Sequence, residues 1–319
     1  MKLQTQIPLN PEKNQISYDS ELLLIGSCFA QHIGSKLDYF KFRNLQNPFG
    51  ILFHPVSIEN LVSRAVRGIP YSHDEVFFYN ERWHCFDSHS DLSDLSAEKL
   101  LQNLNLRLER TREQIVKATH VVITLGTAWA YRHIEQGTLV ANCHKVPQKE
   151  FKKELLSAHE VATSIKKTMQ LIRTIKPNAY FVFTVSPVRH LKDGFVENQL
   201  SKAHLITAIH KVLDTSVTQS DVEAYFPSYE LMMDELRDYR FYKTDMVHPN
   251  QLAIDYIWEK FKFVSIAENA HTIMDKVDVI QKGRLHRPFN AASEQHKKFE
   301  KNLDEKIKDL QRAYPFMMF

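Results

Sequence analysis

The sequence predicts an α/β fold, a doubly wound and mainly parallel sheet flanked by helices. Two observations carry this expectation. Three short runs, LLLIG at 22–26, THVVITLG at 119–126 and AYFVFTVS at 179–186, are apolar at successive positions rather than alternate ones. Strands buried on both faces read this way. Longer amphipathic stretches lie between and after these runs, and strand–helix alternation builds a parallel sheet with helices on both sides.

The elements follow in order. The first run ends in glycine, and Phe29, Ile33, Leu37 and Phe40 beyond it share one helix face. EVFFYNERWHCF at 75–86 reads as a hairpin at the margin of the sheet, turning at Asn80 and Glu81. Helices are predicted over 96–117 and 151–175, the second stopped by Pro177. Segments 197–213 and 251–263 repeat the pattern. A boundary is expected near residue 266, separating a domain 1–266 from an extension 267–319. The extension carries KGRLHRPFN and a charged helix over 293–312. Its Phe299, Leu303, Ile307 and Leu310 form one apolar face, either docked on the core or offered to a second copy of the chain.

Composition narrows the function classes. With 319 residues, 43% of them hydrophobic, the chain can build one large core or two smaller ones. Its 41 Lys+Arg nearly balance 38 Asp+Glu, and no basic run or zinc-finger spacing occurs, so no nucleic acid partner is expected. Cys28, Cys85 and Cys143 lack the spacing of a disulfide framework. The first twenty residues contain no signal-like apolar stretch, and no apolar run is long enough for a membrane span. The expected setting is the cytoplasm, with no membrane partner. The 16 histidines include no His-Glu-x-x-His and no Cys-x-x-Cys accompanies them, so neither metal nor cofactor is expected.

Chemistry is expected where the first strand ends. Ligands of open α/β sheets sit at the carboxyl ends of the strands. Gly26 would permit a tight turn there, and Ser27 would open the next helix, where free N–H groups favour negative charge. Serine is also a preferred helix cap, and this stretch alone favours the cap, so the catalytic reading of Ser27 needs a base. Cys28 is the neighbouring nucleophile, or a small buried packing residue. A base is offered by TDMVHPN, where Asp245 and His248 are i and i+3 before a helix and Pro249 suits its first position. The carboxylate could hold one imidazole nitrogen and leave the other free to take a proton.

Several segments together resemble the GSCFA family. They are GSCFA (26–30), NPFGILFHP (47–55), LGTAWAY (125–131), NCHKVP (142–147), TVSPVRH (184–190), FPSYE (226–230), DELRDYRFY (234–242) and DMVHP (245–249). That family looks like a branch of the SGNH (GDSL-like) hydrolases, which implies a three-layer sandwich and acyl-ester hydrolysis without a cofactor. The resemblance implies Ser27 as nucleophile, His248 as base and Asp245 as its partner. It implies that the Gly50 N–H, with that of Ser27, forms the oxyanion hole. The third superfamily block usually supplies an asparagine donor, but here Gly126 and Thr127 are followed by Ala128. Asn142 is the substitute we expect, with a structural loop role as its alternative. His144 and Lys145 are placed near the same pocket. Arg189 could bind a substrate carboxylate or phosphate by its planar fork, or tie down a loop through Glu230. Asn198 sits at the ligand edge, and Lys202 is expected in an ion pair or at the substrate's margin. The implied activity is a serine esterase, acting for example on O-acetylated carbohydrate. An acyltransferase using the same residues and a non-catalytic binding protein on this fold are the alternatives.

Overall fold

The structure, a computed structural model, describes residues 4–214 and 223–319. The strands along the chain are β1 (Glu21–Gly26), β2 (Arg43–Gln46), β3 (Phe77–Tyr79), β4 (Arg82–His84), β5 (His120–Leu125), β6 (Trp129–His133), β7 (Leu139–Val140), β8 (Phe151–Leu155), β9 (Tyr180–Val185) and β10 (Glu223–Phe226). The α-helices are α1 (Cys28–Tyr39), α2 (Pro55–Arg67), α3 (Ala97–Lys117), α4 (Ala158–Ile175), α5 (Phe195–Asp214), the single turn α6 (Ser228–Glu230), α7 (Gln251–Ser265), α8 (Glu268–Leu285) and α9 (Glu294–Ala313).

Five strands form a parallel sheet in the order β10-β9-β5-β1-β2. The strand period of two divides its side chains between two cores. Leu23, Ile25, Val121, Ile123, Phe181 and Phe183 pack with α2, α3, α4 and α5. Leu22, Leu24, Val122, Val182 and Phe226 pack with α1, α7 and α8 on the opposite face. This is the doubly wound three-layer α/β architecture. The chain steps from β1 to β2 on one side, then returns to place β5 on the other. That reversal is a topological switch point, and it opens a crevice at the carboxyl ends of β1 and β5.

Three elements differ from expectation. Residues expected to begin a helix at 151 form β8, which pairs antiparallel with β6 in a small β7-β6-β8 sheet. Arg132 of β6 pairs with Glu154 of β8 at 3.0 Å, an attraction across strands that local spacing cannot show. The helix starts only after Ser157, whose capping box with Glu160 satisfies the first N–H groups. Helix α8 lies outside the expected elements, although Ala270, Met274, Val277 and Ile280 bury one of its faces in the same core as α1 and α7. Pro249 is not the first helical residue either, because Asn250 caps α7 with its Oδ1 on the Ala253 N–H at 3.1 Å. The hairpin turns through Asn80 and Glu81, both with positive φ, between β3 and β4. In α9, Leu303, Ile307 and Leu310 pack on the α8 side of the core. No helix among the described residues is long and apolar enough to cross a membrane.

Candidate active site

The crevice at the switch point begins with Gly26. Its φ is +143°, and a side chain there would meet the Thr124 carbonyl at 2.0 Å, so only glycine lets β1 approach β5 this closely. Asn47 fixes the strand end by accepting the Gly26 N–H on Oδ1 at 2.8 Å. Sequence reasoning passed over Asn47. The available signal was the Asn-Pro pair at 47–48, a turn marker beyond the helix predicted after the first apolar run.

Ser27 is the N-cap of α1. Its Oγ accepts the Phe29 N–H at 3.3 Å, its N–H donates to Thr124 O at 3.0 Å, and its carbonyl accepts the Ala30 N–H at 2.9 Å. The residue is 1% exposed. Cys28, the first residue of α1, is partly exposed between buried neighbours. Burial pushes its thiol up, against the pull of Lys202, of the N–H groups of Cys28 and Phe29, and of Lys243.

Asp245 and His248 form the expected pair. Asp245 Oδ1 accepts the N–H groups of Val247 and His248, each at 2.9 Å, and Oδ2 accepts His248 Nδ1–H at 2.7 Å. The His248 N–H, then that of Val247, then the imidazole hold the Asp245 carboxyl down at about 2. With Nδ1 donating, Nε2 is the proton-accepting nitrogen. His248 acts electrostatically on His32 of α1 and on His190 beyond β9. Among the described residues no hydrogen bond joins Ser27 to His248.

Between β5 and β9 sits Lys202, expected at a margin but 0% exposed. Its Nζ donates to Gly126 O at 2.7 Å and Ser186 O at 2.8 Å, tying the two strand ends together. Burial lowers its pKa from 10.5 to about 7, with Cys28 opposing the shift and Arg189 adding to it. No carboxylate among the described residues pairs with it. His190 is brought here as well. Its Nε2 lies 3.4 Å from where a Cβ on Gly126 would stand, and burial, then Lys202 and His248, lower it to about 3. The ring is therefore neutral near pH 7. Asn198 holds this loop by accepting the His190 N–H on Oδ1 at 2.8 Å.

Other expected site residues have structural employment. The Gly50 N–H donates to Asn47 O at 2.8 Å, so Gly50 and Ser27, the two expected backbone donors, are both engaged. Gly126 gives its N–H to Phe53 O at 2.8 Å. Thr127 Oγ1 bonds Ser201 Oγ at 3.0 Å and accepts the Trp129 N–H at 3.0 Å. The Ala128 N–H, where the third block expects asparagine, donates to Ser201 Oγ at 2.7 Å. Asn142 Oδ1 accepts the His144 N–H at 2.8 Å, and the Asn142 N–H donates to Phe86 O at 3.2 Å. His144 is buried against Cys85 O at 2.7 Å and Ser90 Oγ at 3.2 Å, and burial lowers it to about 4. These two residues therefore pack with the segment after β4.

Arg189 has no Glu230 partner, since Glu230 accepts the Tyr225 hydroxyl at 2.7 Å. The Arg189 guanidinium instead lies 2.9 Å from Met233 Sδ. It lines a cleft of about 310 Å³ with Tyr239, Tyr242 and Met246, directly beside Asp245. Among the described residues, no group of three or more His, Cys, Asp or Glu side chains is placed to hold a metal ion.

A solved structure of an acetyl esterase, a serine-to-alanine mutant with an acetate ion, aligns over 81% of this chain and 99% of its own, at 10% identity and a TM-score of 0.36. Comparison with curated proteins gives no match. The C-terminal domain of GSCFA domain proteins matches residues 277–319. The GSCFA family itself matches residues 21–261, through both ends of the crevice and the strands between them, and the chain belongs to that family.

Proposed function

We propose that the protein hydrolyses acyl esters through an acyl-enzyme formed at the end of β1. The observation that supports this most is the Asp245–His248 pair. The carboxylate accepts three bonds, all from residues 247 and 248, and so fixes the imidazole with Nε2 as acceptor. In this reading His248 takes the proton of the attacking side chain, then returns it to the leaving alcohol. Water then releases the acyl group with His248 again acting as base.

The oxyanion needs donors other than Ser27 N–H and Gly50 N–H. The Cys28 N–H has no acceptor within its helix and stands at the positive end of α1. Neutral His190, whose Nε2 lies beside Gly126, is a second candidate donor in place of the missing asparagine. The Arg189 cleft favours an ester bearing a carboxylate or phosphate, with Tyr239 and Tyr242 offering faces for a sugar ring. An O-acetylated carbohydrate that also carries a carboxylate or phosphate fits both features, and O-acetylated carbohydrate is the class that the SGNH resemblance implies.

The test is a panel of small esters and acetylated sugars assayed with wild type and His248→Asn. Hydrolysis by wild type, reduced about 10²-fold or more in the variant, is the expected result. Equal rates for both proteins would remove His248 from the mechanism. Product analysis with an added sugar acceptor separates release to water from transfer to a hydroxyl.

A further inference from the structure

We propose that the cavity between α2, the β3–β4 hairpin and the β6–β7 turn is a binding site for a neutral sugar. It shares no lining residue with the Arg189 cleft and does not depend on the acyl-enzyme reading. The hairpin and the β7-β6-β8 sheet both stand outside the five-stranded sheet. Residues of both, with Asn60, Ser63 and Arg64 of α2, enclose about 530 Å³. Small-molecule sites occupy about 300–1,000 Å³.

The first ground is hydrogen-bonding capacity that the protein leaves unused on one wall. Asp87, just beyond β4, lines the cavity. The Tyr71 hydroxyl makes the one hydrogen bond to its carboxyl found among the described residues, at a long 3.4 Å. The neighbouring cation, Arg64, is engaged elsewhere. Its Nη2 pairs with Glu75, and its Cζ lies 3.9 Å from the centre of the Tyr71 ring. Burial pushes the Asp87 carboxyl up, with Arg64 opposing. Arg64 Nη1 is buried and has no hydrogen-bond partner among the described residues. Buried donors and acceptors are ordinarily satisfied, so this pair calls for an added group.

The second ground is which group satisfies both. A hydroxyl donates its proton to Asp87 and accepts from Arg64 with the same oxygen. A carboxylate or phosphate meets Asp74, Glu75 and Asp87 against one guanidinium. An ammonium has no lone pair to offer Arg64. The wall therefore selects a neutral polyol over an ion of either sign.

The third ground is the rest of the lining, which gives that polyol a ring. Phe77 and Phe86 both line the cavity, their rings stacked with centroids 4.2 Å apart. A pyranose gathers C–H bonds on its faces and hydroxyls at its rim, so it rests on aromatic carbon and bonds polar groups around it. The side chains of Asn60 and Ser63 are free for those outer hydroxyls, with no hydrogen-bond partner among the described residues.

The experiment titrates wild type, Asp87→Asn, Asn60→Ala and His248→Asn with D-glucose, D-galactose and N-acetyl-D-glucosamine. Glycine, phosphate and tetramethylammonium are the charged comparisons. Binding is read by saturation-transfer NMR and calorimetry. Expected is millimolar binding of at least one sugar to wild type. Its Kd should rise about tenfold in Asp87→Asn and about threefold in Asn60→Ala, and stay unchanged in His248→Asn. Asn60 is exposed, so its variant reads the site even if Asp87→Asn does not fold. Absence of sugar binding to wild type overturns the proposal, as does a Kd unaltered by Asp87→Asn and Asn60→Ala. Sugar binding lost in His248→Asn places the sugar at the catalytic crevice and overturns it too. A charged probe that binds more tightly than every sugar, and is weakened by Asp87→Asn, overturns the ligand class.

Discussion

Asp245 accepts three bonds, two from His248 and one from Val247, and an amide in its place could accept from a backbone N–H but would turn a donor or lose a charge opposite Nδ1. Asp245→Asn should lower ester turnover about 10²-fold or more. The carboxyl is held down at about 2, so it is ionised throughout the neutral range. The charge that the variant lacks is therefore present in wild type throughout that range, and the loss is measured as kcat on one ester near pH 8. The sign for stability follows from the same depression. The pair's contribution to folding is complete above the ordinary carboxyl value of 3.8 and disappears as pH falls through about 2. Arg189 is tested by a split of kinetic constants. Arg189→Ala should raise KM about tenfold for an ester carrying a carboxylate or phosphate, leaving kcat and the KM of a neutral ester unchanged.

Among the elements, α8 and α9 depend on one close crossing. A Cβ on Gly283 would stand 2.7 Å from Leu303 Cδ1 and 3.4 Å from Phe299 Cζ. Glycine inside a helix costs about 1 kcal/mol relative to alanine, and the crossing returns that by letting α9 lie against α8. Gly283→Val should lower stability by about 1–3 kcal/mol through overpacking. Its signature would be faster proteolysis at 286–293, between the two helices, before global unfolding. If that segment were cut no faster than in wild type, the crossing would not be what docks α9. The α4 boundary shows the opposite case, in which local chemistry decides. Ser157 and Glu160 carry a capping box in plain sequence, while the helical spacing upstream of it belongs to a strand.

For the whole molecule, the β1/β5 switch point gathers groups from α1, α5, the β9 loop and the segment before α7 around a buried lysine. Lys202 has its pKa lowered from 10.5 to about 7 by burial, so between those values the unfolded chain binds a proton that the folded one does not. Stability then rises with pH across that window, by about 1 kcal/mol per unit from this group. The difference in unfolding free energy between wild type and Lys202→Met should show this slope between about pH 7 and about pH 10. A difference independent of pH would mean that Lys202 keeps its proton on folding. Much of this arrangement is legible without coordinates. Runs 22–26, 119–126 and 179–186 announce the sheet because strands covered on both faces must be apolar throughout. Gly26 followed by Ser-Cys, and Asp245 three residues before His248, mark both ends of the crevice through turn and capping chemistry that acts within a few residues. Other features are decided by partners distant in the chain. Residues 151–155 become a strand because β6 offers an edge, and Asn142 turns to His144 because the segment after β4 covers it. Ser27 and Cys28 are adjacent in sequence, with Ser27 read as the nucleophile and Cys28 as a packing residue. The sequence by itself determined that a nucleophile could stand at this strand end. Tertiary structure decided the surroundings of each, since hydrogen bonds with Thr124 and Phe29 engage Ser27 while burial pushes the Cys28 thiol up.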